Sequence, residues 1–168
     1  MTNEVFAMPC AAALITKVIG GQPYILVQTR QKSGGGETNG KIEIPAGKIR
    51  EFESIFDTLR REVHEETGLT VTHIAGESDA VSAVTCGHTT IACSPFCVTQ
   101  NLSGAYSIVL STFLCRAEGT LLERTDETED IRWMNARELR AILDHDPDKV
   151  FFMHVHALEK WLQTHTDN

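Results

Sequence analysis

Glu62, Glu65 and Glu66 place three carboxylates in the last two turns of one predicted helix. At ~100° per residue they span an arc of about 100° on one face, beside the apolar stripe of Leu59 and Val63. All three come just before Gly68, where the helix dipole is negative and further anions are unfavourable. The nearby cations, Arg60 and Arg61, precede the acids, the weaker order for helical ion pairs. A helix shaped for stability alone would carry these charges the other way round. Three oxygen donors so placed suit a hard divalent cation, Mg²⁺ or Mn²⁺, which would relieve their repulsion. A solvated acidic face is the bland alternative.

The residues around the triplet decide between the two. Gly47, then Glu53, then Arg61-Glu62-Val63-His64-Glu65-Glu66-Thr67-Gly68-Leu69 resembles the signature of the Nudix hydrolase family. That signature is a Gly, a Glu, then Arg-Glu-aliphatic-any-Glu-Glu-any-Gly-aliphatic at these separations. Every specified position is met across residues 47–69, which is far more specific than a lone short motif. The resemblance implies the Nudix fold, an α/β arrangement with a mixed β-sheet sandwiched between α-helices. It also implies metal-dependent hydrolysis of a nucleoside diphosphate linked to another group. On that resemblance Glu62, Glu65 and Glu66 bind the catalytic cations, Mg²⁺ or Mn²⁺. Glu53 pairs with Arg61 and holds the loop against the helix. The backbone around Ala46 and Gly47 supplies a further metal ligand, with glycine allowing the turn that exposes it. The metals bridge pyrophosphate oxygens and help ionise the attacking water.

A general base is also needed. Family members take it from the signature helix or from a Glu on a later loop. Here that loop is 124–130, with Glu127 and Glu129 as candidates beside the reading of a solvated acidic turn. Glu43-Ile44-Pro45-Ala46-Gly47 resembles the Glu-x-Pro-Ala-Gly segment of many ADP-ribose and nucleoside-diphosphate-sugar pyrophosphatases. The proline such enzymes often carry about fifteen residues past the signature is missing, that neighbourhood reading Ser82-Ala83-Val84. Arg30 and Lys32 either meet phosphates or form a solvated strand end. Phe96, next to Ser94-Pro95, and Tyr106 either stack on a base or belong to the core. The expected partner is a small nucleotide, ADP-ribose or an NDP-sugar first. A nucleoside triphosphate pyrophosphohydrolase is the second reading, and a non-catalytic nucleotide-binding module the third.

Elements able to position these groups follow from pattern. Residues 11–18 and 23–29 read as strands around the turn Gly20-Gly21-Gln22-Pro23. A glycine-rich loop, 32–41, leads to a short strand at 42–44, which Pro45-Ala46-Gly47 breaks. Helical spacing of Ile55, Phe56, Leu59 and Val63 marks 54–67, opened by a capping box of Ser54 with Asp57 and closed by Gly68. Strands are predicted at 81–86, 90–93, 96–99, 106–115 and 131–134. A capping box of Asn135 with Glu138 opens a helix to about Leu143. A last helix carries Phe151, Val155, Leu158 and Leu162 on one side. The loop 35–41 fails as a Walker sequence because Ile42, not Ser or Thr, follows Lys41. His88, Cys93 and Cys97 lack paired zinc spacing, and Trp133, Trp161, Phe151 and Phe152 read as core or dimer contact.

Composition bounds the rest. The 168 residues suit one domain over 1–168, and 42% hydrophobic with 23% charged content is that of an ordinary globular protein. The N-terminal stretch reads as a first strand, not a signal peptide, and no apolar run suits a membrane helix. Net charge of −8 disfavours a bare nucleic-acid backbone as partner. Five cysteines without CxxC spacing fit reduced thiols and a cytoplasmic location. By family resemblance a homodimer is the expected assembly.

Overall fold

The computed structural model describes residues 4–165. Its centre is the run Ala11-Ala12-Ala13-Leu14-Ile15, buried on both faces. This run lies in β1 (Met8–Ile19), which pairs in parallel with β9 (Ile108–Glu118) from Met8↔Ile108 to Ile15↔Cys115. Because side chains alternate along a strand, β1 feeds two separate cores. Cys10, Ala12 and Leu14 join one, and Ala11, Ala13 and Ile15 the other.

The opposite edge of β1 has two neighbours. Residues 16–19 pair antiparallel with β2 (Gln22–Arg30), while residues 10–12 pair with β4 (Ala46–Lys48). The sheet continues outward to β10 (Thr128–Asn135) beyond β2 and to β5 (Thr70–Ile74) beyond β9. The short β3 (Ile42–Glu43) pairs with β2, and β8 (Cys97–Gln100) with β9. Pro45 therefore bends the chain without ending the sheet: Ala13 N–H bonds the Pro45 carbonyl at 2.9 Å and strand pairing resumes at Ala46.

Helix α1 (Ile55–Thr67) covers one face with Phe56, Leu59 and Val63, Phe56 meeting Phe113 edge to face at 5.6 Å. Each such fully buried side chain is worth about 1.5–3 kcal/mol. Helices α2 (Ala136–His145) and α3 (Val155–Gln163) cover the other face through Leu139, Leu143, Leu158, Trp161 and Leu162. The result is a mixed sheet between helices. Among the described residues no helix is long and apolar enough to cross a membrane.

The ends of α1 follow its local chemistry. Ser54 Oγ accepts the Asp57 N–H at 3.1 Å, but the Asp57 carboxylate accepts from the Ser54 hydroxyl and does not reach the Ser54 backbone. Half of the capping box forms. Gly68 ends the helix at φ 78°, its N–H bonded to the His64 carbonyl. At α2, Asn135 caps the Arg137 N–H while Glu138 turns to Arg132, 3.8 Å away.

Three expectations differ from what is observed. Strand β5 was not predicted, because a bulge between Val71 and His73 breaks its alternation. The stretches at 81–86 and 90–93 become β6 (Val81–Thr85) and β7 (His88–Ala92), a separate exposed hairpin turned by Cys86 and Gly87, both at positive φ. Phe151 precedes the last helix instead of riding on it: its N–H bonds the Ile42 carbonyl at 2.8 Å, and His154 stands at the N-terminal boundary of α3.

Candidate active site

The last two turns of α1, strand β4, the loop after β2 and the loop before β10 enclose one cavity of about 640 Å³. Glu62, Glu65, Glu66, Asp126 and Glu127 line it together with Lys32, Lys48, Arg50 and Arg61. Thus the three α1 acids, Gly47 and Glu127 share one space, while Glu129 does not. Glu129 accepts from Gln31 Nε2 at 2.7 Å and borders a different cavity of about 440 Å³ with Arg124.

Arg61 organises the outer side. Its Nε and NH2 donate to the two Glu53 oxygens at 2.7 and 2.9 Å, a bidentate clamp. NH2 also reaches the Lys48 carbonyl at 3.2 Å, which ties β4 to α1. Arg61 hydrogen bonds hold the Glu53 carboxyl down to about 2, helped by the Arg50 N–H and the Thr58 hydroxyl. NH1 bonds Glu62 and lies 3.3 Å from Glu65. Glu65 is the most exposed of the three helix acids, its side chain 51% exposed.

Glu66 is the innermost. It accepts from Gln28 Nε2 at 2.8 Å, from the Ala46 N–H at 3.1 Å and from Lys32 Nζ at 3.3 Å. Burial pushes its carboxyl up to about 7, against the Lys32 charge and those hydrogen bonds. Lys32 also reaches Glu127 at 2.7 Å, so one ammonium spans the helix and the later loop. Burial works against that charge, yet Glu66, Glu127 and Glu43 hold the lysine above its usual range.

Glycine at 47 has a different reason from the one expected. Its φ is not positive; it sits in β4 opposite Ala11. A Cβ there would lie 1.9 Å from Glu62 Cδ, so the position must be bare for that carboxylate to pack against the strand. Gly68 needs its positive φ, and a Cβ there would also come within 2.9 Å of Leu122.

The donor set is acceptable to a hard divalent cation: carboxylate oxygens on one helix, a facing backbone segment and a fourth carboxylate from a loop. Among the described residues no three acids are drawn together as ready ligands. Arg61 lies between Glu62 and Glu65, and Lys32 between Glu66 and Glu127. Glu62, Glu65 and Glu66, with the Ala46-Gly47 backbone, are the groups that could hold a metal.

A second cavity of about 270 Å³ adjoins the first and shares Lys32, Gly47 and Lys48 with it. Arg30 lines it but is not a solvated strand end: the 32–41 loop folds over it and leaves it 8% exposed. Its NH1 donates to Glu43 Oε2 at 3.1 Å, its Nε to Thr38 at 3.1 Å, and its guanidinium lies 4.7 Å from the Phe151 ring. Burial raises the Glu43 carboxyl despite Arg30 and Lys32. Tyr106 and Phe151 meet edge to face at 6.2 Å, so Phe151 is part of this wall as well as of the core. Phe96 lies outside both cavities, with Lys160 Nζ 4.6 Å over its ring.

Sequence reasoning did not single out Gln28, Cys10 or Met153. A polar Gln inside the apolar run of β2 was the available signal for Gln28. The others gain meaning only from strand and helix packing.

The NUDIX domain family model matches residues 8–155. No curated protein matches the chain. Solved structures match in fold. The MutT NUDIX hydrolase of Burkholderia pseudomallei superposes at TM-score 0.61 with 20% identity, over 91% of this chain and 96% of that one. The NUDIX domain of Shewanella oneidensis NrtR, complexed with ADP ribose, gives TM-score 0.67 and 15% identity over 97% and 91%. A C. elegans Ap4A hydrolase gives TM-score 0.55 and 12% identity over 96% and 99%.

Proposed function

The chain belongs to the Nudix family of hydrolases acting on pyrophosphate bonds, and from that premise we propose that it cleaves the diphosphate of a small nucleotide, ADP-ribose or an NDP-sugar, with the help of Mg²⁺ or Mn²⁺. One observation carries this reading: the acidic cavity holding Glu62, Glu65, Glu66 and Glu127 adjoins an aromatic-lined cavity and shares Lys32, Gly47 and Lys48 with it. A diphosphate between two groups needs that layout, with charge handling at the bridge and an apolar slot beside it.

A divalent cation held by Glu62, Glu65, Glu66 and the Ala46-Gly47 backbone would neutralise pyrophosphate oxygens and ease ionisation of the attacking water. The chain's own residues do the remaining work. Arg61, fixed by Glu53, aims Glu62 and Glu65 into the cavity. Gln28 and the Ala46 N–H orient Glu66 from behind. Lys32, where the cavities meet, turns from its carboxylates to a phosphate oxygen. In this reading Glu127, 56% exposed and inside the acidic cavity, takes the proton of water. Five cysteines without a disulfide support a reducing, cytoplasmic setting.

Purified protein is incubated with Mg²⁺ or Mn²⁺ and a nucleotide panel, and the products are identified. AMP with a sugar phosphate is the expected outcome for ADP-ribose, and chelation abolishes it. A nucleoside monophosphate with pyrophosphate would assign a triphosphate substrate instead. No turnover with any nucleotide, while one still raises the melting temperature, would leave a binding module.

A further inference from the structure

From Ala80 to Cys115 the sequence contains no Asp, Glu, Lys or Arg, in a chain that is 23% charged. The β6–β7 hairpin lies in that stretch, and every residue of its two strands is exposed. Val84 is 73% exposed, Val81 66% and Ile91 44%. Among the described residues the hairpin pairs with no other strand, so both of its edges are open. An isolated two-stranded hairpin is marginal in water, and open edges are normally guarded by charge, lysine above all. Neither strand has such a guard. The turn is nevertheless well made: Cys86 and Gly87 both take positive φ and set the register from Val81↔Ala92 to Thr85↔His88. An ordered arm with bare edges and exposed valines is a surface that another strand completes. Charge says whose strand that is. Each chain carries −8, so two copies repel, and this uncharged arm lets them meet without setting like charges together. A basic partner would be drawn to the acidic surface instead, and depletion of charge is the mark of an interface core.

We propose that β6 is the pairing edge of a symmetric dimer, in which the hairpins of two copies join antiparallel into one four-stranded sheet. β6 serves rather than β7 because it holds the two most exposed valines of the arm and no titratable side chain. With Thr85 and His88 closing the two-residue turn, hydrogen-bonded and non-hydrogen-bonded pairs alternate along the hairpin. The backbone N–H and C=O groups of Ser82 and Val84 then face outward, away from β7. A twofold axis at Ala83 sets Ser82 against Val84 on both sides and pairs those free groups. It also brings Ala83 beside its own copy, at about 4.5 Å between Cα atoms. The edge includes none of the residues lining the acidic cavity, so this inference stands or falls apart from the nucleotide reading.

Sedimentation equilibrium of the purified chain over a concentration series tests this. The mass rises toward twice 18.6 kDa with concentration. Val84→Lys sets two like charges against the pairing edges and weakens association by at least about tenfold. Val18→Lys, at a valine 74% exposed on β1, leaves association unchanged. Circular dichroism checks that Val84→Lys keeps its fold; should the hairpin be lost, a second variant decides. Ala83→Cys is made with Cys86→Ser, which removes the exposed thiol. Mild oxidation then gives a cross-linked dimer, since the Cα separation expected at the axis is one a disulfide spans. A mass that stays at one chain throughout overturns the proposal and leaves the arm to a different protein. A dimer that folded Val84→Lys leaves intact, or that Ala83→Cys fails to cross-link, overturns it as well and puts the interface elsewhere.

Discussion

Gly47 and Glu62 are so close that a methyl group on the glycine would occupy the position of the carboxylate, 1.9 Å from Glu62 Cδ. The contact joins β4 to α1 at the acidic cavity and fixes where one acid stands. In Gly47→Ala the flexible end of Glu62 swings away, so the fold accommodates the change. The acid, however, is displaced by more than an ångström. Turnover falls by about 10²-fold, the scale expected of such a misplacement, with the melting temperature nearly unchanged. Steady-state kinetics and thermal unfolding of the purified variant check the two outcomes together; full activity would show that Glu62 is not needed in this position.

Glu66→Gln separates charge from shape. The amide keeps an oxygen for the Gln28 and Ala46 donors and removes a carboxylate that burial already disfavours. Stability is unchanged or higher, while kcat drops by at least about 10²-fold, because a metal-binding charge facing the diphosphate is lost. A variant with a depressed melting temperature and near-normal kcat would reverse the assignment of Glu66 from site to scaffold.

Two buried groups give stability opposite pH dependences. Burial, with Arg30 and Lys32 nearby, pushes His154 down to about 3 from 6.5. Between those values only the unfolded chain holds that proton, so the contribution is complete above 6.5 and is lost as pH falls. Glu66 is pushed up to about 7 from 4.5, so there the native chain holds the proton and stability is lost as pH rises through that range. Each contributes ~1.4 kcal/mol per pH unit with opposite sign between about pH 5 and 6.5. Relative to wild type, His154→Phe therefore tilts the stability–pH line downward with rising pH, and Glu66→Gln tilts it upward. Denaturant unfolding across that window measures both; three parallel lines would mean neither group is buried in this way.

The helix that bears the acids was legible because its determinants are local. Ser54, the apolar spacing and Gly68 define α1 within its own span, and the acids sit against its dipole. The backbone segment facing the acids was only half legible. Pro45 signals a break, but the pairing of Ala46–Lys48 with β1 depends on residues more than thirty positions away. Arg30 shows the same limit: a strand end reads as solvated until the 32–41 loop closes over it, with Gly40 N–H bonded to its carbonyl at 2.8 Å. Glu43 was singled out through its resemblance, yet its charge partner across the β2–β3 pairing was not visible. Phe151 read as core because its apolar character says nothing about the cavity on its other side.

Glu127 and Glu129 were equivalent candidates for the base and are no longer so. Glu127 ends the loop before β10 and Glu129 lies in the strand opposite Thr29, while Thr128 between them donates its hydroxyl to the Glu66 carbonyl at 3.3 Å. Glu127 is left beside Lys32 in the acidic cavity, and Glu129 beside Gln31 in the next one. Glu127→Gln accordingly lowers kcat by about 10²-fold with KM little changed, the usual scale for losing a general base. Glu129→Gln stays within about twofold of wild type, as an exposed hydrogen bond to Gln31 contributes little. Rate profiles of the two variants side by side decide the matter: if Glu129→Gln is the slower enzyme, the loop delivers its base from the other cavity and the role given to Glu127 is wrong.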